Sequence, residues 1–427
     1  MYTIRTSCRI CNKSIKDSRV LLDLGVQSLT GNFPKKGEYV EKVPVTVIKC
    51  KSCGLVQLKE TTDANQMFGQ SYGYSSALNS QMVSHLEELS NYSRKFAKFP
   101  AKGQDKVLDI GANDGTFLSF FGREGKKLIA VDPSIINFEK AYENHEENIE
   151  TFPDFFDLTR TPALQKYMNS VHLVTSIACF YDLDDPIKFA KDVTKVLTKD
   201  GVWVMEAAYL GAILDKICVD GFVHEHLSYY SLRDIHNIAK KCKLNILDVT
   251  YNDCNGGSFR VVLSKRRPTV RQRIKVGKEF FKEGRWINDS KTYDKFAYKC
   301  SNFKADFVAL LNTCKVQGLK VNGFGASTKL NVLLQYCNVD SNLMKEIGEV
   351  NPTKFGKVTP GTNIPIVKQD KILDRKNSDV LIIGPYHFRT NILNNPKVKK
   401  FIEQGGRVVF PLPKLEVISK EEPKVKK

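Results

Sequence analysis

The sequence predicts an α/β protein: two halves built on mostly parallel sheets, preceded by a small cysteine-rich module. Three observations predict it. Residues 107–121, VLDIGANDGTFLSFF, read as a buried strand, a glycine turn and a helix start. Residues 319–330, LKVNGFGASTKL, repeat that order in the last third of the chain. Two Cys-x-x-Cys pairs, Cys8/Cys11 and Cys50/Cys53, precede both turns. The strand–glycine–helix order makes both halves Rossmann-like.

The 427 residues suit two to three domains. Boundaries are expected at 1–75 for the N-terminal module, 76–262 for the first half, 263–310 for a basic helical linker and 311–427 for the second half. No apolar run reaches the roughly 18–20 residues of a membrane span. The N-terminus, MYTIRTSCRIC, lacks the apolar stretch of a secretion signal. The expectation is a cytoplasmic protein without a membrane partner, a monomer or homodimer.

Eleven cysteines in such a chain point to reduced thiols or metal ligands. The pairs Cys8-x-x-Cys11 and Cys50-x-x-Cys53 can supply four thiolates to one structural Zn²⁺, a redox pair being the alternative. The 38 residues between them read as a small β-rich insert. Gly54, after the second pair, allows backbone N–H groups to turn toward sulfur. A module this small gains from a metal the stability that its core cannot supply.

Next comes a bridge with the loop MFGQSYGYSS, which brings Tyr72, Tyr74 and Ser75, and a helix from about Gln81 to Phe96 that stops short of Pro100. From Val107 strands and helices alternate, through VLDIG, LIAVDPS, VHLVTSIA, GVWVMEAAY, LNILDVTY and SFRVVLS. Asp132 lies about 20 positions beyond the glycine turn, placed to accept from both hydroxyls of a ribose. The turn is Gly-x-x-x-Gly rather than GxGxxG and carries an extra acid, Asp114. That suits cationic, phosphate-free S-adenosylmethionine (SAM) better than a pyrophosphate. Another Rossmann ligand, or a turn with no ligand, is the alternative. Asp109, Gly111, Asn113, Gly115 and Asp132 are the cofactor-binding candidates. Phe156, in a loop that borders the adenine in such folds, and Ser176, near the carboxyl end of the third strand, complete the set.

The segment Gly221–Tyr230 contains His224-Glu225-His226. Positions i and i+2 do not share a helix face, so a zincin-type metal pair is disfavoured. A coupled acid–base group fits better, imidazole having the pKa range to take a proton near neutrality. Core packing is the bland alternative. Asn255-Gly256-Gly257-Ser258 turns into a strand, where paired glycines allow close approach of backbone to substrate. Arg260 follows, on the face that alternation points away. In the second half, Ser327, Thr328 and Lys329 form a group suited to an anion at a helix start, and Lys357 sits in the ordered turn GKVTPGT. The tail from Glu421 is expected to be disordered.

The net charge of +18 peaks in the block Lys265–Lys275. A solvated face is the first reading. A nucleic-acid patch lacks aromatic interleaving or a reader motif, and attraction of an anionic pyrophosphate substrate is a third option.

Taken together, the paired Cys-x-x-Cys knuckles, YGYSS at 72–76, VLDIGANDGTFL at 107–118, HEHLSYYSL at 224–232, NGGSFRV at 255–261, GASTKLNVLL at 325–334 and GKVTPGTNIPI at 356–366 resemble, in order, the SAM-dependent C-methyltransferases of nucleotide-linked 4-keto-deoxyhexoses. The resemblance implies zinc in the N-terminal module, SAM in the middle domain and a nucleotide sugar held with help from the C-terminal domain. It implies His226 as the base, with Glu225, His224 and Tyr74 beside it. The substrate contacts would come from Tyr72, Ser75, Asn255, Gly257, Ser258, Ser327, Lys329 and Lys357. The chain departs from the family at Val223, where an aromatic residue is usual. It departs again at Phe180-Tyr181, in a loop where many members have a histidine, and at Tyr386-His387, where a Trp-Asn pair is common. A SAM methyltransferase acting on oxygen or nitrogen, and a zinc-ribbon nucleic-acid-binding protein, are the rival readings.

Overall fold

The computed structural model describes residues 2–68, 74–99, 105–122, 126–143 and 149–420. Tyr72 and the tail from Glu421 lie outside them. In the N-terminal module β1 (Tyr2–Ile4) pairs with β5 (Glu60–Thr62). Strands β2 (Arg19–Ser28), β3 (Lys42–Lys49) and β4 (Val56–Leu58) form an antiparallel meander. Val43, Val45 and Val47 alternate along β3 and are completely buried, which fixes its inward face.

The middle half is a seven-stranded sheet of β6 (Lys106–Ile110), β7 (Lys127–Val131), β8 (Ile149–Phe152), β9 (Val171–Ile177), β10 (Leu197–Ala208), β12 (Asn245–Asn252) and β13 (Ser258–Ser264). Its order is β12-β13-β10-β9-β6-β7-β8. All neighbours are parallel except β13, which runs antiparallel to both β10 and β12. The strand order reverses between β6 and β9, so the crevice at their carboxyl ends is where a ligand belongs. The remaining strand, β11 (Ser228–Tyr229), leaves this half and pairs with β4 of the N-terminal module.

Helix Ser80–Arg94 is capped by Asn79, whose side chain accepts from the backbone of Gln81 and Met82. An ionic network, buried on the sheet side and exposed at Glu88, ties that helix to the sheet. The Arg260 guanidinium donates to Glu206 on β10 at 2.7 Å and to both carboxylate oxygens of Glu88 at 3.1 and 2.8 Å. His85 meets Glu206 at 2.5 Å. Burial alone would lower the His85 pKa; contacts with Cys254 and Glu206 outweigh it and push it up to about 10. Alternation thus points Arg260 into a clamp, away from the ligand crevice.

Residues 263–310 contain helix Val270–Gly284 and most of helix Ser290–Val316. Phe296, Cys300, Phe303, Phe307 and Leu311 recur every three or four residues on the second helix and are buried. They join one hydrophobic core that runs from Leu21 and Leu22 of the N-terminal module to the C-terminal sheet. That sheet comprises β14 (Val321–Phe324), β15 (Ile347–Glu349), β16 (Ile366–Lys368), β17 (Val380–Ile383), β18 (Arg407–Phe410) and β19 (Glu416–Ile418), in the order β16-β15-β14-β17-β18-β19. Only β19 is antiparallel. Helix Thr328–Tyr336 docks onto the N-terminal module: Gln335 exchanges two hydrogen bonds with the Ser28 backbone, and Asn331 donates to the Thr30 carbonyl at 2.7 Å.

Candidate active site

The turn after β6 owes its shape to residues that tolerate positive φ: Gly111 at +77°, Asn113 at +51° and Gly115 at +80°. A Cβ on Gly111 would sit 3.1 Å from both the Cβ and the Sγ of Cys179, so the close approach of the β9 loop needs glycine there. Asn113 binds the segment that carries Tyr74: its Oδ1 accepts from Ser76 N at 3.0 Å and its Nδ2 donates to Tyr74 O at 3.0 Å. Asp114 accepts from Ser75 Oγ at 2.6 Å and Ala77 N at 2.8 Å. The acid expected to favour a cationic ligand is therefore committed to holding this loop. Burial would raise its pKa, but the hydrogen bonds from Ser75 and Thr116 keep it below the usual range.

At the carboxyl ends of β6, β7 and β9 opens a cavity of about 550 Å³, within the range of small-molecule sites. Asp109, Gly111, Asn113, Asp132 and Phe156 line its donor side. Asp109 accepts from Thr175 at 2.6 Å; burial lifts its pKa to about 7, so a cation placed there would stabilise its ionised form. Asp132 accepts from Ser134 N and Oγ and from Asn113 N. About one of a carboxylate's four acceptor positions is left, so it has room for one ribose hydroxyl rather than the two expected. These residues suit SAM: an acidic, partly apolar cradle for a cationic nucleoside.

Tyr74, Glu225, His226, Asn255, Gly257, Ser258, Ser327 and Lys329 line the other side of the same cavity. His226 Nδ1 lies 3.2 Å from the Gly221 carbonyl. A carbonyl only accepts, so Nδ1 carries the proton and Nε2 is the basic nitrogen, with no hydrogen-bond partner among the described residues. Burial, aided by the Lys329 charge, pushes the His226 pKa down to about 4. Burial lifts Glu225 to about 7, against hydrogen bonds from its own backbone N–H and from Thr30 Oγ1, the latter at 3.5 Å. Desolvation at the cavity side raises the Tyr74 phenol to about 12, although the residue keeps much of its surface exposed. Lys329 donates to the Asn255 carbonyl at 2.9 Å and to His387 Nε2 at 2.8 Å.

Five candidates do not line the cavity. His224 is buried with Nε2 3.1 Å from the Val43 carbonyl of β3, facing the N-terminal module. Ser176 accepts from the Trp203 indole at 2.9 Å, on the other face of the sheet. Ser75 holds Asp114, and Gly115 caps the helix behind the turn. Lys357 lies in its turn away from the cavity lining. Conversely, Cys179, Tyr181 and Asp182 line the cavity; the sequence marks their loop as one at a carboxyl strand end, where ligands bind, without giving any of them a role. His387, which aims Lys329, and Tyr386, which donates to buried Asp220 at 2.8 Å, were noted only as departures from a motif. The signal that marks these residues is their position after carboxyl strand ends.

The four sulfurs of Cys8, Cys11, Cys50 and Cys53 lie within 4.8 Å of one another. Cys8 Sγ is 3.5 Å from Cys53 Sγ, and Cys11 Sγ 3.7 Å from Cys50 Sγ. Four sulfurs at about 2.3 Å from a tetrahedral Zn²⁺ sit about 3.8 Å apart, so the set fits a closed structural zinc site. A second group, His85, Glu206 and Cys254, is also close enough to hold an ion, but Arg260 already neutralises its carboxylate.

Three family models match in series: a zinc binding domain over residues 8–68, a methyltransferase domain over 79–249 and a C-methyltransferase C-terminal domain over 253–413. The chain is 26% identical over 420 residues to the C-methyltransferase NovU of Streptomyces niveus, covering 97% of each protein. Solved structures similar to part of it include a SAM-dependent methyltransferase of Clostridium acetobutylicum (15% identity, 43% of this chain and 89% of that one, TM-score 0.32). Another is the 1,6-didemethyltoxoflavin-N1-methyltransferase of Burkholderia thailandensis (11%, 43% and 78%, TM-score 0.32). The fold and site thus define a SAM-dependent methyltransferase with a structural zinc module. With the serial match of all three domains, the chain belongs to the zinc-module family of SAM-dependent C-methyltransferases.

Proposed function

We propose that this C-methyltransferase acts on a nucleotide-linked keto-deoxysugar, at the carbon α to the ketone, through an enolate. One observation carries the reading. His226 has its Nδ1 proton committed to the Gly221 carbonyl and presents a neutral, basic Nε2 in the cavity that holds the donor-side acids. A proton α to a ketone is within reach of an imidazole base. The developing oxyanion needs donors, and the protonated Tyr74 phenol stands in the same cavity. Glu225 is the neighbouring acid. Lys329, with Ser327, Asn255, Gly257 and Ser258, suits the anionic end of a nucleotide diphosphate. When bound between Asp109, Asp132 and Phe156, SAM supplies the electrophilic methyl group. The proposed division of labour is a zinc module to residue 75, a donor domain over 76–262, helices over 263–310 and an acceptor half from 311. A cytoplasmic setting fits eleven cysteines of which none forms a disulfide; among the described residues no helix is long and apolar enough to cross a membrane.

The test is solvent deuterium uptake at the α carbon of dTDP-, UDP- or GDP-linked 4-keto-6-deoxyhexoses without SAM, followed by a one-methyl mass gain when SAM is added. His226→Ala is expected to abolish both. Exchange at the wild-type rate in that variant would remove His226 as base. Neither exchange nor mass gain with any of the three nucleotides would remove the substrate class.

A further inference from the structure

Asp182 ends the short turn Phe180–Asp182 at the carboxyl end of β9 and lines the cavity alongside His226 and Glu225. Its position relative to the base is firmly set. Leu227 N donates to the Tyr181 carbonyl at 2.9 Å, and the Tyr181 ring meets the His226 imidazole edge-on, centroids 4.4 Å apart. Yet the carboxyl itself is unsupported. Oδ1 is shielded from solvent and has no hydrogen-bond partner, and no ion pair reaches the side chain among the described residues. Asp182 is half-buried, but a carboxylate whose inner oxygen is shut off from water without donor or cation is costly, and the group escapes that cost by keeping its proton.

The groups facing it reinforce this. Glu225, from the loop that carries His226, is a like charge. Tyr229 and Tyr230, from the strand that follows, and Cys179, from its own turn, are held neutral by burial and supply no positive charge. Burial and the Glu225 charge together push Asp182 well above the usual carboxylate range. Glu225 differs in having Thr30 as a donor.

We propose that Asp182 is held as a neutral carboxylic acid and donates its O–H to the ketone oxygen of the acceptor as the α-proton leaves. The inference rests on the enolate reading above. The α C–H bond breaks, the proton goes to His226 Nε2, and the electron pair moves onto the ketone oxygen, which the Asp182 O–H stabilises. Re-entry of a solvent deuteron at carbon reverses the step. A neutral acid in an apolar site can donate where an ionised one only repels.

Two measurements on the full chain test it. The first is infrared difference spectroscopy at pH 7. The protonated-carboxyl C=O region, to which Asp109 and Glu225 also contribute at pH 7, is expected to lose one component in Asp182→Asn that persists in Glu225→Gln. A region left unchanged by Asp182→Asn overturns the proposal. The second is SAM-free deuterium exchange with dTDP-4-keto-6-deoxyglucose. Asp182→Ala is expected to slow exchange by about 10²–10³-fold. Asp182→Asn, whose amide still donates, should stay within about tenfold of wild type and lose the decline in rate as pH rises through the Asp182 pKa. Because the carboxyl has no partner to lose, both variants should keep the wild-type melting temperature. Wild-type exchange with an undiminished rate in Asp182→Ala overturns this proposal alone. No exchange in the wild type overturns the enolate reading and this proposal with it.

Discussion

At the scale of single residues, the site is a set of protonation states imposed by burial. His226 is neutral because its surroundings and the Lys329 charge disfavour imidazolium. A base must be unprotonated to work, so activity should rise with pH through the His226 pKa and hold level until the Asp182 proton is lost at higher pH. The acid limb of kcat/KM, which reports the free enzyme, is expected near pH 4. Lys329→Met removes one of the two causes of that low value, so the limb should move toward higher pH while acceptor KM rises. A pH–rate profile of the two proteins checks this. An unmoved limb would mean that Lys329 does not influence the base. The two histidines around Glu225 and the lysine after a glycine turn marked this chemistry in the sequence, and the family resemblance picked out His226. Residue type by itself could not tell His226 from His224. That choice is made by which imidazole finds the Val43 carbonyl and which the Gly221 carbonyl. His224 and the β3 residue it meets are 181 residues apart in the chain.

At the scale of elements, the strands and their order were readable because β6, β7, β9 and β10 are apolar runs bounded by turns. Strand β8 escaped notice because Ile149–Phe152 is short and half-buried. Strand β11 has two residues and exists only through its partner β4. That pairing makes the zinc site matter to a base it does not touch. Cys50 closes the loop between β3 and β4, and β4 holds the strand that begins two residues after His226. Cys50→Ser, or removal of zinc by a strong chelator, should cost at least about 4 kcal/mol of stability, in the class of metal loss. The same change should abolish methyl transfer. Zinc content per chain, thermal denaturation and turnover measured together check it. Full activity in a zinc-free protein would show that β4 keeps β11 in register unaided.

At the scale of the whole molecule, the three parts are joined by a continuous core and by polar docking contacts. The basic stretch 263–310 read as a helical linker, and nothing in its sequence told that the apolar face from Phe296 to Leu311 joins the core shared by the flanking parts. Charge on an outer face says nothing about the inner one. The docking contacts were illegible for a different reason: Asn331 and Gln335 are ordinary helix residues until Ser28 and Thr30 are brought beside them. Asn331→Ala leaves the Thr30 carbonyl without this donor and should cost about 1–3 kcal/mol. Since the helix that docks is the one Lys329 begins, acceptor KM should rise severalfold while S-adenosylhomocysteine affinity stays unchanged. Calorimetric titration and steady-state kinetics separate the two. Equal loss of both affinities would mean that the donor side leans on this interface too.

The pairing of β4 with β11 also bears on recombination between relatives. A chimera that exchanged residues 1–75 at the natural-looking seam would graft in a new β4 while leaving the old β11 to recognise it. The unit that can be swapped is therefore discontinuous: the N-terminal segment together with the short stretch around Ser228–Tyr229. Libraries built by single crossovers near residue 75 should be rich in proteins that bind donor but cannot turn over. Adding a second, compensating exchange at 224–230 should restore turnover.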